Sequence, residues 1–224
     1  MEIKGAIFDM DGTLVDSLAF WSVLWKKIGK RYLGEENFVP EEEVDRRVRT
    51  MIFVDALEYV WTHYGFRCSC EEFVAFGTDG ITEFYREYAK PKAGAVAFLN
   101  HLKQSGVRLC LATATDPKYI ADALTLCGMT GYFDTVLSCV EVGYGKDRPQ
   151  IYLEALARLD CFPDESCVFE DSFVALETAK RIGCHTVGVF DRYNFGQERL
   201  SAASEIYLDE HHAMDTLIPK ISAR

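Results

Sequence analysis

The sequence lacks a long apolar stretch, since no hydrophobic run approaches the roughly 18 residues that a membrane-spanning helix needs. Positive charge is also scarce: 24 Lys and Arg stand against 35 Asp and Glu, and the formal net charge is −11 at pH 7. Such a surplus of negative charge repels phosphodiester backbones and anionic lipid surfaces. We therefore expect neither a nucleic acid nor a membrane among the partners of this protein.

The eight cysteines show neither the spacing of a zinc site nor a disulfide framework. Cys68 and Cys70 are separated by a single residue and have no accompanying pair of histidines. His211 and His212 adjoin two acidic residues, as on a solvated surface. Five further cysteines lie in apolar runs, where a free thiol packs as a small hydrophobic group; they are at positions 110, 127, 139, 167 and 184. Because the chain starts with a core-like strand instead of a signal peptide, we expect a reduced, cytoplasmic protein.

Two patterns of predicted secondary structure divide the chain of 224 residues, whose 49% hydrophobic content excludes wholesale disorder. Residues 16–90 contain helical periodicity and no convincing strand; their first predicted helix covers residues 16–33, with Asp16 or Ser17 as its cap. After residue 90, short apolar strands alternate with helices. The predicted strands of the chain are 3–8, 107–112, 135–138, 166–169, 186–190 and 206–208.

This alternation predicts an α/β protein with a doubly wound parallel sheet and helices on both faces. The helical stretch is expected to form a separate unit, because it interrupts the alternating pattern after the first strand. We therefore predict an α/β core from residues 1–15 and 91–224, with an inserted all-helical domain at residues 16–90.

The most informative stretch is the D-x-D-G-T pattern at residues 9–13, directly after the first predicted strand. Residues two apart in an extended chain project to the same side, so Asp9 and Asp11 are expected to face one small region. Two neighbouring carboxylates repel unless a cation lies between them or one takes up a proton. An ordinary Asp-Gly turn explains a shorter motif, but the complete pattern after an apolar strand favours a functional site.

Polar residues also follow three other predicted strands: Thr113, Lys146 and the pair Glu170 and Asp171. Each has an ordinary alternative, since Thr113 can cap a helix, Lys146 can be solvated, and the two acids can lie in the first turn of a helix. In open parallel sheets, however, ligands bind outside the carboxyl ends of the strands. Their joint occurrence at strand ends therefore predicts one shared site.

These segments resemble the four motifs of the haloacid dehalogenase superfamily of phosphohydrolases, and the resemblance covers nearly the whole chain. The helical insert after the first motif is similar to the C1 cap of the phosphatase and β-phosphoglucomutase branch. The resemblance implies a Mg²⁺-dependent phosphomonoester hydrolase that acts on a small phosphorylated metabolite through an aspartyl-phosphate. We also expect a monomer or a weak dimer.

The resemblance implies particular roles for the acidic residues. Asp9 is expected to be the nucleophile, and Asp11 the acid that protonates the leaving alcohol and then the base that activates water. Mg²⁺ is expected to bind Asp9, the carbonyl of Asp11, and Asp171, with Glu170 beside them or just outside the ligand set.

The resemblance also implies a phosphoryl-binding group and a cap that selects the substrate. Thr113 and Lys146, with backbone N–H groups near Met10, Asp11 and Ala114, are expected to hold the phosphoryl oxygens. In the cap, Trp21 and the stretch Arg46 to Arg49 are the candidates for substrate contacts. Their structural alternatives are the cap core for Trp21 and a solvated helix face for the arginines, Arg49 included.

Two other functions are also compatible with the sequence. A sugar phosphomutase differs only in passing the phosphoryl group to a second substrate hydroxyl; by an ungapped count, Trp21 and Phe53 occupy the places of the mutase's His and Arg. A phospho-receiver signalling domain also clusters acids, a Thr and a Lys, but it is much shorter and carries its phosphorylated Asp after the third strand. Asp147, which replaces the Pro common after the motif lysine, predicts a less rigid loop around Lys146.

Overall fold

The computed structural model of the protein describes residues 1–49 and 51–223, so Thr50 and Arg224 of the predicted domains lie outside the described residues. The chain forms two compact units, one from Met1–Ser17 with Ala89–Arg224 and the other from Leu18–Tyr88. The corresponding boundaries that the sequence predicts are at residues 16 and 90.

The first unit is built on a six-stranded sheet with the strand order β4-β3-β2-β5-β6-β7, and each pairing between its strands is parallel. Strands β1 and β8 pair with each other in a separate two-stranded parallel sheet. The strands are β1 Glu2–Ile3, β2 Gly5–Phe8, β3 Arg108–Thr113, β4 Thr135–Ser138, β5 Ser166–Glu170, β6 His185–Val189, β7 Ile206–Leu208 and β8 Ser222–Ala223. The predicted parallel α/β architecture is thus confirmed.

The predicted first strand is wrong at its start, because the apolar run is divided between the two sheets. Glu2 and Ile3 pair with Ser222 and Ala223, whereas the large sheet begins at Gly5. At Lys4 the chain passes from one sheet to the other, and its backbone N–H donates to the carbonyl of Glu165 at 2.7 Å. The break depends on Glu165 and on the strand Ser222–Ala223, which are distant in the sequence, so the apolar pattern does not predict it.

Helices of the first unit cover both faces of the six-stranded sheet. They are α5 Ala95–Gln104, α6 Pro117–Leu126, α7 Cys139–Val142, α8 Gln150–Leu159, α9 Phe173–Arg181 and α10 Gln197–Ala203. On one face, Ile7 and Val168 join a buried cluster with residues of α8, α9 and α10. On the other, Phe8 stacks on Phe169 with ring centroids 4.2 Å apart, and Phe98 of α5 packs edge-on against both rings. Burial on both faces explains the continuous apolar character of these strands.

The second unit is helical over its described residues. Its helices are α1 Ala19–Ile28, α2 Glu42–Val48, α3 Phe53–Tyr64 and α4 Cys70–Glu83, with π-helical turns at Gly29–Leu33 and Phe84–Tyr88. The predicted cap of the first helix is wrong: Leu18 occupies the N-cap position, and the Ser17 hydroxyl instead donates to the carbonyl of Val15 at 3.4 Å. Ser69 does cap α4, since its hydroxyl accepts the N–H of Glu72 at 3.1 Å.

All eight cysteines are free thiols in the structure. Burial raises the pKa of Cys110 and of Cys184 to about 12, so these thiols stay protonated and unreactive. None of the helices in the described chain combines the length and the apolar character that crossing a membrane requires.

Candidate active site at the carboxyl ends of the strands

The central strand β2 brings Asp9 to the same sheet edge as the ends of its two neighbours. Strand β2 pairs with β3 on one side and β5 on the other, and the backbone N–H of Asp9 donates to the carbonyl of Phe169 at 3.0 Å. Thr113 is the last residue of β3, and Glu170 is the last residue of β5. Parallel pairing therefore places three of the predicted site segments at one edge of the sheet.

A tight turn follows Asp9 and directs the chain away from the sheet. The carbonyl of Met10 accepts the N–H groups of Leu14 and Val15 at 2.9 and 2.8 Å. Gly12 has a φ of 83°, in the left-handed region that glycine adopts without steric cost. Thr13 is buried in this turn, and its hydroxyl donates to Asp171 Oδ1 at 3.5 Å. The D-x-D-G-T stretch thus contacts the segment after β5.

Three buried carboxylates form the centre of the site. One oxygen from each of Asp9, Glu170 and Asp171 lies within 4.8 Å of the others. Burial raises the pKa of Asp9 to about 7, opposed by Lys146 and reinforced by Glu170. Burial, with Asp9 and Glu170 adding to it, also raises the pKa of Asp171 well above its usual value. The cluster therefore stabilises additional positive charge, and its oxygen donors are those that Mg²⁺ prefers.

Lys146 is the ammonium group that contacts this cluster. Its Nζ donates to Asp9 Oδ1 and, at 2.5 Å, to Glu170 Oε1, and its side chain is only 11% exposed. Burial alone would lower the pKa of Lys146, but the two carboxylates outweigh it and raise this pKa, so the side chain stays charged. The adjacent carbonyl of Asp147 accepts from Thr178 Oγ1 and Arg181 Nη2, each at 3.2 Å. These two bonds anchor the loop at the position where the sequence lacks a proline.

Glu170 is held by protein donors on both of its oxygens. Oε1 accepts from Lys146 and, at 3.4 Å, from the Tyr152 hydroxyl, while Oε2 accepts the N–H of Ser172 at 3.1 Å. Burial, with Glu170 adding to it, raises the pKa of Tyr152 well above its usual value. Sequence analysis missed Tyr152, because a tyrosine on an amphipathic helix has the pattern of an ordinary core residue.

The Asp11 carboxylate has a different partner from that of Asp9. Thr115 donates its hydroxyl to Asp11 Oδ2, and the Thr115 carbonyl accepts from Ser138 Oγ at 2.7 Å. Thr113 Oγ1 accepts the N–H of Thr115 at 3.1 Å, so the Thr113 side chain organises the loop after β3. Within the described residues, the three-carboxylate group does not include the Asp11 side chain. This arrangement agrees with a role for that carboxylate apart from metal binding.

The remaining predicted positions differ in their surroundings. Met10 is completely buried after β2, whereas Ala114 is exposed after β3. In the second unit, the Trp21 ring lies 5.5 Å from that of Trp25, centroid to centroid. Arg49 donates to both carboxylate oxygens of Asp45, at 2.9 and 3.2 Å.

Asn194 is a site residue that sequence analysis missed. Its side-chain amide donates to Asp171 Oδ2 at 2.7 Å and to the Asp171 carbonyl at 3.0 Å. Its position in the sequence could have indicated a site residue, because Asn194 follows β6 as the other site residues follow their strands. Asparagine is also a common turn residue, however, and in a loop it has the pattern of ordinary turn chemistry.

The chain also resembles known proteins along most of its length. The family model of the haloacid dehalogenase-like hydrolases matches residues 3–183. The phosphorylated carbohydrates phosphatase of Thermotoga maritima is 27% identical over 216 residues, which are 96% of this chain and 98% of that protein. Hexitol phosphatase A of Escherichia coli is 26% identical over 201 residues, 84% of each chain. The crystal structure of CbbY from Rhodobacter sphaeroides in complex with phosphate has the same fold, with a TM-score of 0.77, 22% identity and 96% coverage of both chains. The chain is therefore a member of the haloacid dehalogenase-like hydrolases.

Proposed function

We propose that the protein is a Mg²⁺-dependent phosphatase that hydrolyses the monoester of a small phosphorylated carbohydrate. The observation that carries this proposal is the group of Asp9, Glu170, Asp171 and Lys146 at the carboxyl ends of β2 and β5. The phosphatase proposal is further supported by the two phosphatases described above, whose names refer to phosphorylated carbohydrates and to hexitols.

Asp9 is the proposed nucleophile, and Asp11 is the proposed acid and base. A carboxylate oxygen of Asp9 attacks phosphorus, the bond from phosphorus to the ester oxygen breaks, and Asp11 protonates the departing alkoxide. A water molecule then attacks phosphorus and loses its proton to Asp11, while the bond from phosphorus to the Asp9 oxygen breaks. This step releases inorganic phosphate and regenerates the Asp9 carboxylate. The Thr115 hydroxyl orients the Asp11 carboxylate for both transfers.

Asp9, Asp171 and the carbonyl of Asp11 would hold Mg²⁺. When bound, the ion neutralises the repulsion between the carboxylates and an anionic substrate. Glu170 instead orients Lys146, because its oxygens already accept from Lys146, Tyr152 and the backbone of Ser172.

The phosphoryl group is bound by cationic and neutral donors at the same edge. Lys146 carries a charge next to Asp9, so it can contact both the nucleophile and a phosphoryl oxygen. The Thr113 hydroxyl and the backbone N–H groups near Met10, Asp11 and Ala114 supply the neutral donors of the proposal. The second unit is proposed to act as a cap that selects the substrate.

The proposal is tested by screening the purified protein against phosphorylated sugars and sugar alcohols, with and without Mg²⁺. Asp9→Asn should retain the fold by circular dichroism and release no phosphate, whereas Asp164→Asn, at an exposed aspartate, should behave as wild type. Near-normal turnover by folded Asp9→Asn would exclude the aspartyl-phosphate mechanism. Conversion of a hexose 1-phosphate into its isomer in the presence of a sugar bisphosphate, without phosphate release, would support a phosphomutase instead.

A further inference from the structure

The contact between Asn194 and Asp171 involves both the side chain and the backbone of the aspartate. The Asn194 amide nitrogen lies 2.7 Å from Asp171 Oδ2 and 3.0 Å from the Asp171 carbonyl oxygen. A single group that binds both atoms restricts rotation of the Asp171 side chain relative to its own backbone. The Thr13 hydroxyl, at 3.5 Å, is a longer contact on the other carboxylate oxygen.

The orientation of the Asn194 amide follows from its partners. The Asp171 backbone carbonyl only accepts hydrogen bonds, so the end of the Asn194 amide that faces Asp171 must be the NH₂. The Asn194 Oδ1 atom accepts the N–H of Phe195 at 2.8 Å, which occupies the other end of the amide with a donor. Both ends of the amide are therefore satisfied in one orientation only.

Hydrogen bonds within the protein organise the loop that carries Asn194. Asp191 is 1% exposed, and its carboxylate accepts from Lys92 Nζ at 2.6 Å and from the N–H of Tyr193 at 2.8 Å. The side chain of Gln197 donates to the Asp191 carbonyl at 2.9 Å and to the Asn194 carbonyl at 3.3 Å. These bonds restrain the loop from three directions, so Asn194 presents its amide to Asp171 at little entropic cost.

We propose that Asn194 is a positioning residue that holds the Asp171 carboxylate in the orientation required for Mg²⁺. This inference rests on the proposed function, because it assigns Asp171 as a metal ligand. A neutral amide suits this role because it engages Asp171 without adding positive charge, whereas an ammonium group there would compete with the cation. Hydrogen-bond partners of metal ligands fix the ligand geometry, and their loss commonly weakens metal binding.

The experiment measures Mg²⁺ binding to the full chain by isothermal titration calorimetry, without substrate. Asn194→Ala and the similarly sized Asn194→Leu should both bind Mg²⁺ about 10- to 100-fold more weakly than wild type. Gln197→Ala is the matched control, because Gln197 restrains the same loop without contacting Asp171; it should bind Mg²⁺ nearly as wild type does. Turnover of the Asn194 variants should return close to the wild-type kcat at saturating Mg²⁺, which general structural damage would not allow.

Three results would overturn the inference: unchanged Mg²⁺ affinity in folded Asn194 variants, an equal loss in Gln197→Ala, or a kcat that saturating Mg²⁺ does not restore. Failure of the proposed function is recognised separately. In that case the wild-type protein itself would bind no Mg²⁺ or would need none for turnover.

Discussion

Replacing Lys146 by methionine is expected to destabilise the metal-free protein strongly. The Lys146 ammonium group contacts Asp9 and Glu170 directly, which are two of the three buried carboxylates. Methionine is similar in length and fills irregular space, so loss of charge, more than loss of volume, is what the substitution tests.

The expected magnitude follows from the burial of the ion pairs. Removing one partner of a buried ion pair costs about 3–5 kcal/mol, because the remaining charge is left without compensation. For a protein of this size, each kcal/mol corresponds to roughly 2–4 °C in Tm, so the variant should melt about 6–20 °C below wild type.

The loss of stability should also depend on pH. Burial already raises the pKa of Asp9 to about 7, and removing Lys146 raises it further, because Lys146 opposes that shift. A carboxyl group whose pKa is higher in the folded than in the unfolded state takes up protons on folding, so its contribution to stability decreases as the pH rises through this interval. The difference in Tm between Lys146→Met and wild type should therefore be larger at about pH 8 than at about pH 5.5.

The assay is thermal unfolding in EDTA, followed by circular dichroism. The matched control is Lys118→Met, because Lys118 pairs with Asp116 at 3.2 Å while their side chains are 53% and 43% exposed. An exposed pair of this kind contributes at most about 1 kcal/mol, so this variant should melt close to wild type at either pH. The reasoning is refuted if Lys146→Met melts with the control, or if its deficit is independent of pH.

Three further outcomes are expected. Asp11→Asn should lose turnover but keep its Mg²⁺ affinity in calorimetry, because the proposed ligand is the backbone carbonyl of residue 11. Asp171→Asn should lose both turnover and Mg²⁺ affinity. Equal losses of affinity in the two variants would show that the Asp11 side chain is itself a ligand. Removal of Mg²⁺ by EDTA should abolish phosphate release and lower the Tm, because the buried carboxylates then repel one another, and unchanged turnover would exclude the metal. Trp21→Ala should change the order of preferred sugar phosphates but preserve slow hydrolysis of an aryl phosphate, whereas Val23→Ala, at an exposed position of the same helix, should change neither. Loss of aryl phosphate hydrolysis in folded Trp21→Ala would contradict the assignment of selectivity to the cap.

Local pattern was sufficient to predict the architecture of the core. The strands Thr135–Ser138 and Ile206–Leu208 have the bounds that the sequence predicts. Periodicity and turn residues are properties of neighbouring positions, so they can be recognised without knowing the fold. The grouping of Asp9 with Glu170 and Asp171 was predictable for a related reason, because the carboxyl ends of parallel strands share one edge.

The tertiary structure decided which donors each site residue meets. The break at Lys4 depends on Glu165 and on the pairing of Glu2 and Ile3 with the last strand, and no local pattern encodes these partners. Tyr152 has the spacing of a core residue, yet its hydroxyl reaches Glu170.

Asn194 is a further residue whose partner, the proposed metal ligand Asp171, cannot be read from the local sequence pattern. It is 23 residues from Asp171 along the chain, and it reaches the carboxylate because the loop after β6 folds around the buried Asp191. The sequence determined which carboxylates come together, because strand order and strand direction suffice for that. Only the packed structure determined how they are held, because a hydrogen bond requires two particular atoms to come within about 3 Å in a suitable orientation.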